Sequence, residues 1–148
     1  MLTTVQDILR IKGPQVWSIS PETTVIQALQ LLSEKRIGAL LVLDGDEIAG
    51  VLSERDIVRR IAAEKTCELD QAVSEVMTYD VVTISPEDDI EDCMSIMTEE
   101  HIRHLPAVED GKLIGLVSIG DVVKAMITSR EFTIEQLQKF IDGGGYNQ

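Results

Sequence analysis

The chain has 148 residues, 44% of them hydrophobic and 26% charged, a composition typical of one globular domain. Thirteen basic against 26 acidic residues give a net charge of −13, which repels phosphate backbones, so we expect no nucleic-acid partner. The longest mostly apolar run, Ile37 to Leu43, is far shorter than the roughly 20 residues of a membrane helix. With no secretory signal pattern at the N-terminus, we expect a cytoplasmic protein without a membrane partner.

An internal repeat organises the sequence. A shift of 65 residues places residues 16–63 on residues 81–128 without a gap, and twelve positions are identical. The apolar pattern repeats as well, because Val25, Ala28, Leu29 and Leu32 correspond to a second set with the same i, i+3, i+4, i+7 spacing. We therefore predict two copies of one supersecondary unit.

The elements of each copy follow in chain order from breakers and periodicity. A short β-prone piece ends at Ser-Pro and is followed by an amphipathic helix. Two strands come next, joined in the first copy at Asp44-Gly45 and in the second at Asp110-Gly111, and a last helix begins where the second of them ends. This order predicts an α/β fold of two β-α-β-β-α repeats, each preceded by an extra helical turn. We assign residues 5–64 to repeat 1, 73–130 to repeat 2, and 131–148 to a C-terminal helix and tail.

Both copies carry the motif Gly-x-x-Ser-x-x-Asp, which begins at Gly50 and at Gly115. Its serine and aspartate are placed to cap the last helix, and this role alone would explain them. The same groups at a helix start also suit a ligand, since a carboxylate accepts hydrogen bonds from a ribose diol and free amides receive phosphate. The motif leaves both interpretations open. The glycines themselves interrupt a strand, where a bulge or a close backbone approach is expected.

The tandem repeats, the Ser-Pro openings and the paired motifs together resemble a pair of cystathionine β-synthase (CBS) domains. The resemblance implies a pseudo-two-fold module that binds an adenosine-containing ligand such as AMP, ADP, ATP, NAD or S-adenosylmethionine. It also implies a homodimer and a regulated protein that this sequence does not reveal. We expect the apolar helix stripes of Val122, Val123, Met126 and Ile127, and of the region near Ile57 and Ile61, to form the dimer interface.

The resemblance assigns ligand-binding roles to both copies. It places the ribose on the motif aspartates and the phosphate near the motif serines, with Gly38 and Ala39 reading the adenine edge in copy 1. Copy 2 has Arg103 and His104 there, whose bulk and charge either close this pocket or supply phosphate contacts from one cleft to the ligand in the other. Both residues are also expected to add positive charge near Asp121. The expected site residues are Ser53, Arg55, Asp56, Gly38 and Ala39 in copy 1 and Ser118, Gly120, Asp121, Arg103 and His104 in copy 2.

We predict unequal sites, with the Asp121 site the better one. Gly120 lacks the side chain that Arg55 presents in copy 1, so a phosphate can approach the helix amides closely.

No catalytic constellation, glycine-rich phosphate loop or metal-binding spacing is evident, so we expect neither an enzyme nor a metal site. The two cysteines, Cys67 and Cys93, are expected to be plain thiols. Three hypotheses remain: a nucleotide sensor, a ligand-free oligomerisation or docking module of the same fold, and an enzyme whose site the sequence does not show. Binding of an adenine nucleotide would separate the first from the second.

Overall fold

The computed structural model describes residues 4–66, 68–128 and 141, and it is a mixed α/β fold of two compact units. The first unit comprises Val16–Val81, and the second combines Met1–Gln15 with Val82–Gln148. Among the described residues, no helix has the length and apolar character needed to cross a membrane. The predicted C-terminal helix and tail, residues 131–148, lies outside the described residues except for Ile141.

The first unit is built on a three-stranded sheet in which β2 is central, parallel to β1 and antiparallel to β3. A 3₁₀ turn follows the last helix of the unit. Its elements are β1 (Ser18–Ile19), α2 (Val25–Lys35), β2 (Ala39–Asp44), β3 (Glu47–Ser53), α3 (Glu54–Glu64) and the 3₁₀ turn Val73–Glu75.

The second unit repeats this order on an antiparallel pair of strands. A single parallel bridge between Ile84 and Ala107 stands where β1 stands in the first unit. Its elements are α1 (Val5–Lys12), α4 (Ile90–Glu100), β4 (His104–Glu109), β5 (Lys112–Ser118) and α5 (Ile119–Thr128). The predicted β-α-β-β-α order is thus confirmed in repeat 1, and in repeat 2 its first strand is reduced to one bridge.

Pro106 explains why the first strand of repeat 2 is reduced to one bridge. In the first unit the amide of Leu41 donates to the carbonyl of Trp17 at 3.3 Å, which extends β1 along β2. The equivalent residue of β4 is Pro106, which has no N–H to donate. Its carbonyl still accepts from the amide of Ile84 at 2.9 Å, so one bridge survives beside β4.

The two motif glycines lie at β-bulges beneath a neighbouring side chain. The register shifts opposite Gly50 and opposite Gly115 in the two hairpins. A Cβ on Gly50 would lie 2.7 Å from the sulfur of Met77 and 2.7 Å from the carbonyl oxygen of Thr78. A Cβ on Gly115 would lie 2.5 Å from a methyl of Leu9. Both a bulge and a close approach, the two reasons that the sequence suggested, are present.

The helical segment that precedes the β-α-β-β-α elements of each copy packs on the other copy. Helix α1 belongs to the second unit, where Val5 and Ile8 are buried among residues of repeat 2 and the amide of Val5 donates to the carbonyl of Asp88 at 2.9 Å. The segment before repeat 2 does the same in the first unit, where the amide of Val73 donates to the carbonyl of Thr23 at 2.8 Å. The compact units therefore exchange these segments relative to the linear repeats.

The apolar stripes of the last helices lie largely inside their own units. Val122 and Met126 are buried in the core of the second unit, and Ile57 is buried in that of the first. The expectation that these three side chains form a dimer interface is therefore wrong, because each already packs against its own sheet. Ile61 and Ile127, from the same stripes, are exposed.

Candidate functional site

The start of α5 gathers the predicted residues of copy 2. Ser118 caps the helix, since its hydroxyl accepts from the amide of Asp121 at 3.2 Å while the Asp121 carboxylate accepts from the amide of Ser118 at 2.8 Å. His104 is the strand partner of Ser118, and the amide of Ile119 donates to the carbonyl of Arg103 at 2.8 Å. The structure thus brings Arg103, His104, Ser118 and Asp121 together at one helix start.

Lys12 joins this group from the end of α1. Its ammonium donates to Oδ2 of Asp121 at 2.7 Å and to the carbonyl oxygen of Leu116 at 2.6 Å. Sequence reasoning missed Lys12 because 109 residues separate it from Asp121, and nothing in the repeat pattern predicts that α1 packs on the second repeat. The exchange of segments between the units is what places it here.

Lys12 also sets the ionisation of Asp121. Burial by itself raises the pKa of this carboxyl, but hydrogen bonds from Lys12 and Ser118 outweigh the burial and hold the pKa below its ordinary value. Asp121 is therefore a carboxylate at neutral pH. Its Oδ2 is occupied by two donors, whereas its Oδ1 makes no hydrogen bond to any residue that the structure describes.

His104 does not carry the charge that the sequence suggested for it. Burial and the nearby charges of Lys12 and Arg103 outweigh the opposing effect of Asp121 and together lower the pKa of His104 to about 4. The imidazole is thus neutral at pH 7. The expectation that His104 adds positive charge to the Asp121 site is wrong, because a partly buried ring beside two cations does not take up the second proton that would make it an imidazolium.

The start of α3 repeats the arrangement for copy 1. The Asp56 carboxylate accepts from the amide of Ser53 at 2.8 Å, and the Ser53 hydroxyl accepts from the amide of Asp56 at 3.1 Å. The second oxygen of Asp56 accepts from the hydroxyl of Thr78 at 3.2 Å, so a neutral donor stands where Asp121 has Lys12. Both motifs therefore cap a helix, and a ligand-binding role would be additional to capping.

Gly38 and Ala39 lie beside this helix start. The amide of Glu54 donates to the carbonyl of Gly38 at 3.0 Å, and Ala39 is the strand partner of Ser53. Five predicted residues of copy 1, including the half-buried Arg55, are therefore contiguous in the structure.

Gly120 occupies the second position of α5, as Arg55 does in α3. Among the described residues, a Cβ on Gly120 would meet a single neighbour within 4 Å, the hydroxyl of Ser118 at 3.7 Å, which is an ordinary contact. Packing within the chain therefore does not require glycine here. Among the described residues, the place that a side chain would take at Gly120 is open.

The described residues hold no group of three or more His, Cys, Asp or Glu side chains that could bind a metal ion. Cys93 is buried, and burial together with Asp88 and Asp92 raises the pKa of its thiol to about 12. A protonated, buried thiol is a poor nucleophile. Cys67 lies outside the described residues.

These repeats, with a capped carboxylate at the last helix of each, define a tandem-repeat α/β protein of the CBS class. The model of the CBS domain family matches residues 5–63 and again residues 73–128, and the chain belongs to this family. The resemblance inferred from the motifs is thus confirmed.

The chain is similar to several known CBS-domain proteins. It is 32% identical to the mitochondrial CBS domain-containing protein CBSX3 of Arabidopsis thaliana, over 96% of this chain and 73% of that protein. Among solved structures, a putative signal-transduction protein with CBS domains from Burkholderia ambifaria is 43% identical, with a TM-score of 0.81 over 89% of this chain and 99% of that one. CBSX2, solved in complex with AMP, is 29% identical, with a TM-score of 0.72 over 86% of this chain and 99% of that one. The predicted fold class, a CBS pair, is confirmed by these neighbours.

Proposed function

We propose that this chain is a regulatory module that binds an adenosine-containing ligand and acts in trans on a separate protein. The observation that carries the proposal is the pair of carboxylates, Asp56 and Asp121, each held at the start of a helix beside a serine. AMP in the related CBSX2 structure supports the ligand class. AMP, ADP, ATP, NAD and S-adenosylmethionine are the candidate ligands.

The proposed binding mode uses groups that remain available after capping. The Oδ1 atom of Asp121 is the acceptor offered to a ribose hydroxyl, because it makes no hydrogen bond to the described residues. Gly120 has no side chain at the start of α5, and no described residue crowds the place of its missing Cβ, which leaves a phosphate oxygen room to approach the helix start. Ser118, Arg103 and His104 border this site.

The corresponding site in copy 1 is formed by Ser53, Arg55, Asp56, Gly38 and Ala39. There each carboxylate oxygen of Asp56 already accepts one hydrogen bond, from Ser53 and from Thr78. A ribose hydroxyl would use the remaining lone pair on either oxygen. We propose that this site binds nucleotides more weakly, since Arg55 stands where copy 2 has open space.

A homodimer is part of the proposal. Helix α3 exposes Val58 (63%) and Ile61 (40%), and α5 exposes Ile127 (63%). Apolar side chains on exposed helix faces favour association with a matching face, and a second copy of the chain supplies one. The same faces favour the second candidate function, a ligand-free oligomerisation or docking module.

Three further parts of the proposal concern class, boundaries and compartment. We propose a non-catalytic role, in keeping with the CBS family to which the chain belongs. Repeat boundaries at residues 5–64 and 73–130 are proposed from the sequence periodicity. A cytoplasmic location is proposed for this chain, although the related CBSX3 is mitochondrial.

Isothermal titration calorimetry of the purified protein tests the ligand proposal. We expect saturable heat with at least one of AMP, ADP, ATP, NAD and S-adenosylmethionine, without turnover of the nucleotide. If none of the five binds at millimolar concentration, the ligand-free docking function replaces this one.

A further inference from the structure

The two motif carboxylates differ in the charge of their second partner. The ammonium of Lys12 reaches Asp121 from the last residue of α1, with its side chain 32% exposed. Two of its three hydrogens are used, on Oδ2 of Asp121 and on the carbonyl of Leu116. No described residue accepts its remaining hydrogen, which an incoming acceptor can therefore use.

In the first unit the corresponding segment brings no cation to the carboxylate. Leu9 and Met77 occupy equivalent places, since each lies against its motif glycine. Beyond Met77 the chain offers the hydroxyl of Thr78, which donates to Asp56. The segment exchange therefore gives the Asp121 site a bound positive charge and gives the Asp56 site a neutral hydroxyl.

This difference matters for an anionic ligand. A phosphate group near an unpaired carboxylate is repelled, whereas a carboxylate paired with an ammonium presents almost no net charge. His104 is neutral at pH 7 and supplies none of the compensation. Arg103 is a second cation close to His104, but Lys12 is the one that contacts the carboxylate directly.

We propose that Lys12 is a specificity-determining residue that makes the Asp121 site select phosphate-bearing adenosine ligands over neutral adenosine. This inference rests on the proposed function, since it assumes that Asp121 anchors the ribose. Lys12 offsets the charge of Asp121 and directs its third hydrogen to the phosphate. Oδ1 of Asp121 stays open for the ribose, so Lys12 need not leave the carboxylate when the ligand binds.

The test is calorimetric titration of AMP and of adenosine into the wild type and into Lys12→Met, which removes the charge and keeps an unbranched apolar stem. The titrations of both ligands are repeated with the two proteins in an Asp56→Ala background, so that the Asp121 site alone is titrated. We expect AMP affinity to fall at least tenfold and adenosine affinity to change less than threefold. Lys12→Arg keeps the charge and should keep the preference for AMP.

Arg10→Met is the matched control, because it removes a cation from the last turn of the same helix. Arg10 is 70% exposed and faces Asp7, not Asp121. It should leave both affinities unchanged. Equal losses for AMP and adenosine in Lys12→Met, or no loss for either, would overturn the role of Lys12 while leaving the proposed function intact. A wild type that binds neither compound would overturn the proposed function and this inference together.

Discussion

At the scale of single residues, the Asp56 and Asp121 carboxylates each accept hydrogen bonds from two different kinds of donor. Each holds the first turn of a helix through the amide of its serine, at 2.8 Å in both copies. Each also meets a second donor, a hydroxyl from Thr78 or an ammonium from Lys12. Capping is worth about 1 kcal/mol, so a change at either aspartate alters helix stability as well as any ligand contact.

His104 should make folding stability depend on pH. Its pKa falls from 6.5 to about 4 on folding, so the unfolded chain binds the proton more readily between these values. Stability is therefore fully present above about pH 6.5 and is lost as the pH falls towards 4, by at most about 3 kcal/mol. Urea unfolding at a series of pH values measures this loss.

The variant His104→Gln should flatten that pH dependence, since glutamine does not titrate. The lowered pKa of Asp121 adds a loss only below about pH 4, outside this window. His101→Asn is the matched control, because His101 is exposed and left-handed at the end of α4, a conformation that asparagine tolerates. The same slope in His104→Gln as in the wild type would show that His104 is not the group responsible.

At the scale of elements, the motif glycines Gly50 and Gly115 differ in the rigidity of the atoms that a side chain there would meet. An alanine at Gly50 would collide with the backbone carbonyl of Thr78, which is held in a bridge to β3. An alanine at Gly115 would meet the end of the flexible Leu9 side chain instead. We expect Gly50→Ala to lose about 1–3 kcal/mol of unfolding free energy and Gly115→Ala to lose less.

Urea unfolding of the two variants measures the difference, with Gly120→Ala as the matched control. In the part of the chain that the structure describes, an alanine at Gly120 meets just one neighbour, at an ordinary distance, so it should cost no stability. Equal losses at Gly50 and Gly115 would contradict the view that the neighbour's rigidity sets the cost.

The sequence predicted most elements because both repeats carry the same hydrophobic periods and capping residues. Two local details differ from the prediction. The first hairpin turns at residues 45–46, one position beyond the predicted Asp44-Gly45, because Gly45 supplies the positive φ of 64° that the turn requires. The first strand of repeat 2 is nearly absent because Pro106 lacks the necessary donor.

The packing of α1 was beyond the reach of the sequence. Its apolar pattern shows that one face is buried, but a helix of eight residues does not show which sheet covers it. Lys12 therefore could not be connected with Asp121. The other candidate residues could be named from the sequence, because some lie in the repeated motif and the family resemblance suggested the rest, Gly38, Ala39, Arg103 and His104.

At the scale of the whole molecule, the proposed homodimer is accessible to light scattering. We expect a mass of twice 16.4 kDa at micromolar concentration. The double variant Val58→Asp, Ile127→Asp should shift the mass towards the monomer, because it places charges on the exposed faces of α3 and α5.

Ile11→Asp is the matched control for the dimer. Ile11 is equally apolar and 66% exposed, but it lies on α1, outside the proposed interface. This variant should keep the mass of the wild type. A wild-type mass of 16.4 kDa would contradict the homodimer. A double variant that remains dimeric would show that the exposed faces of α3 and α5 do not form the interface.

The central claim, that an adenosine ligand binds on a motif carboxylate, is tested most directly by titrating AMP into Asp121→Ala, Asp56→Ala and the control Asp92→Ala. Asp92 completes the capping box of α4 as Asp121 completes that of α5, so both variants lose a similar cap. We predict at least a tenfold loss of AMP affinity in Asp121→Ala, a smaller loss in Asp56→Ala and none in Asp92→Ala. Unchanged affinity in both Asp121→Ala and Asp56→Ala would contradict the claim and leave the motif as a helix cap alone.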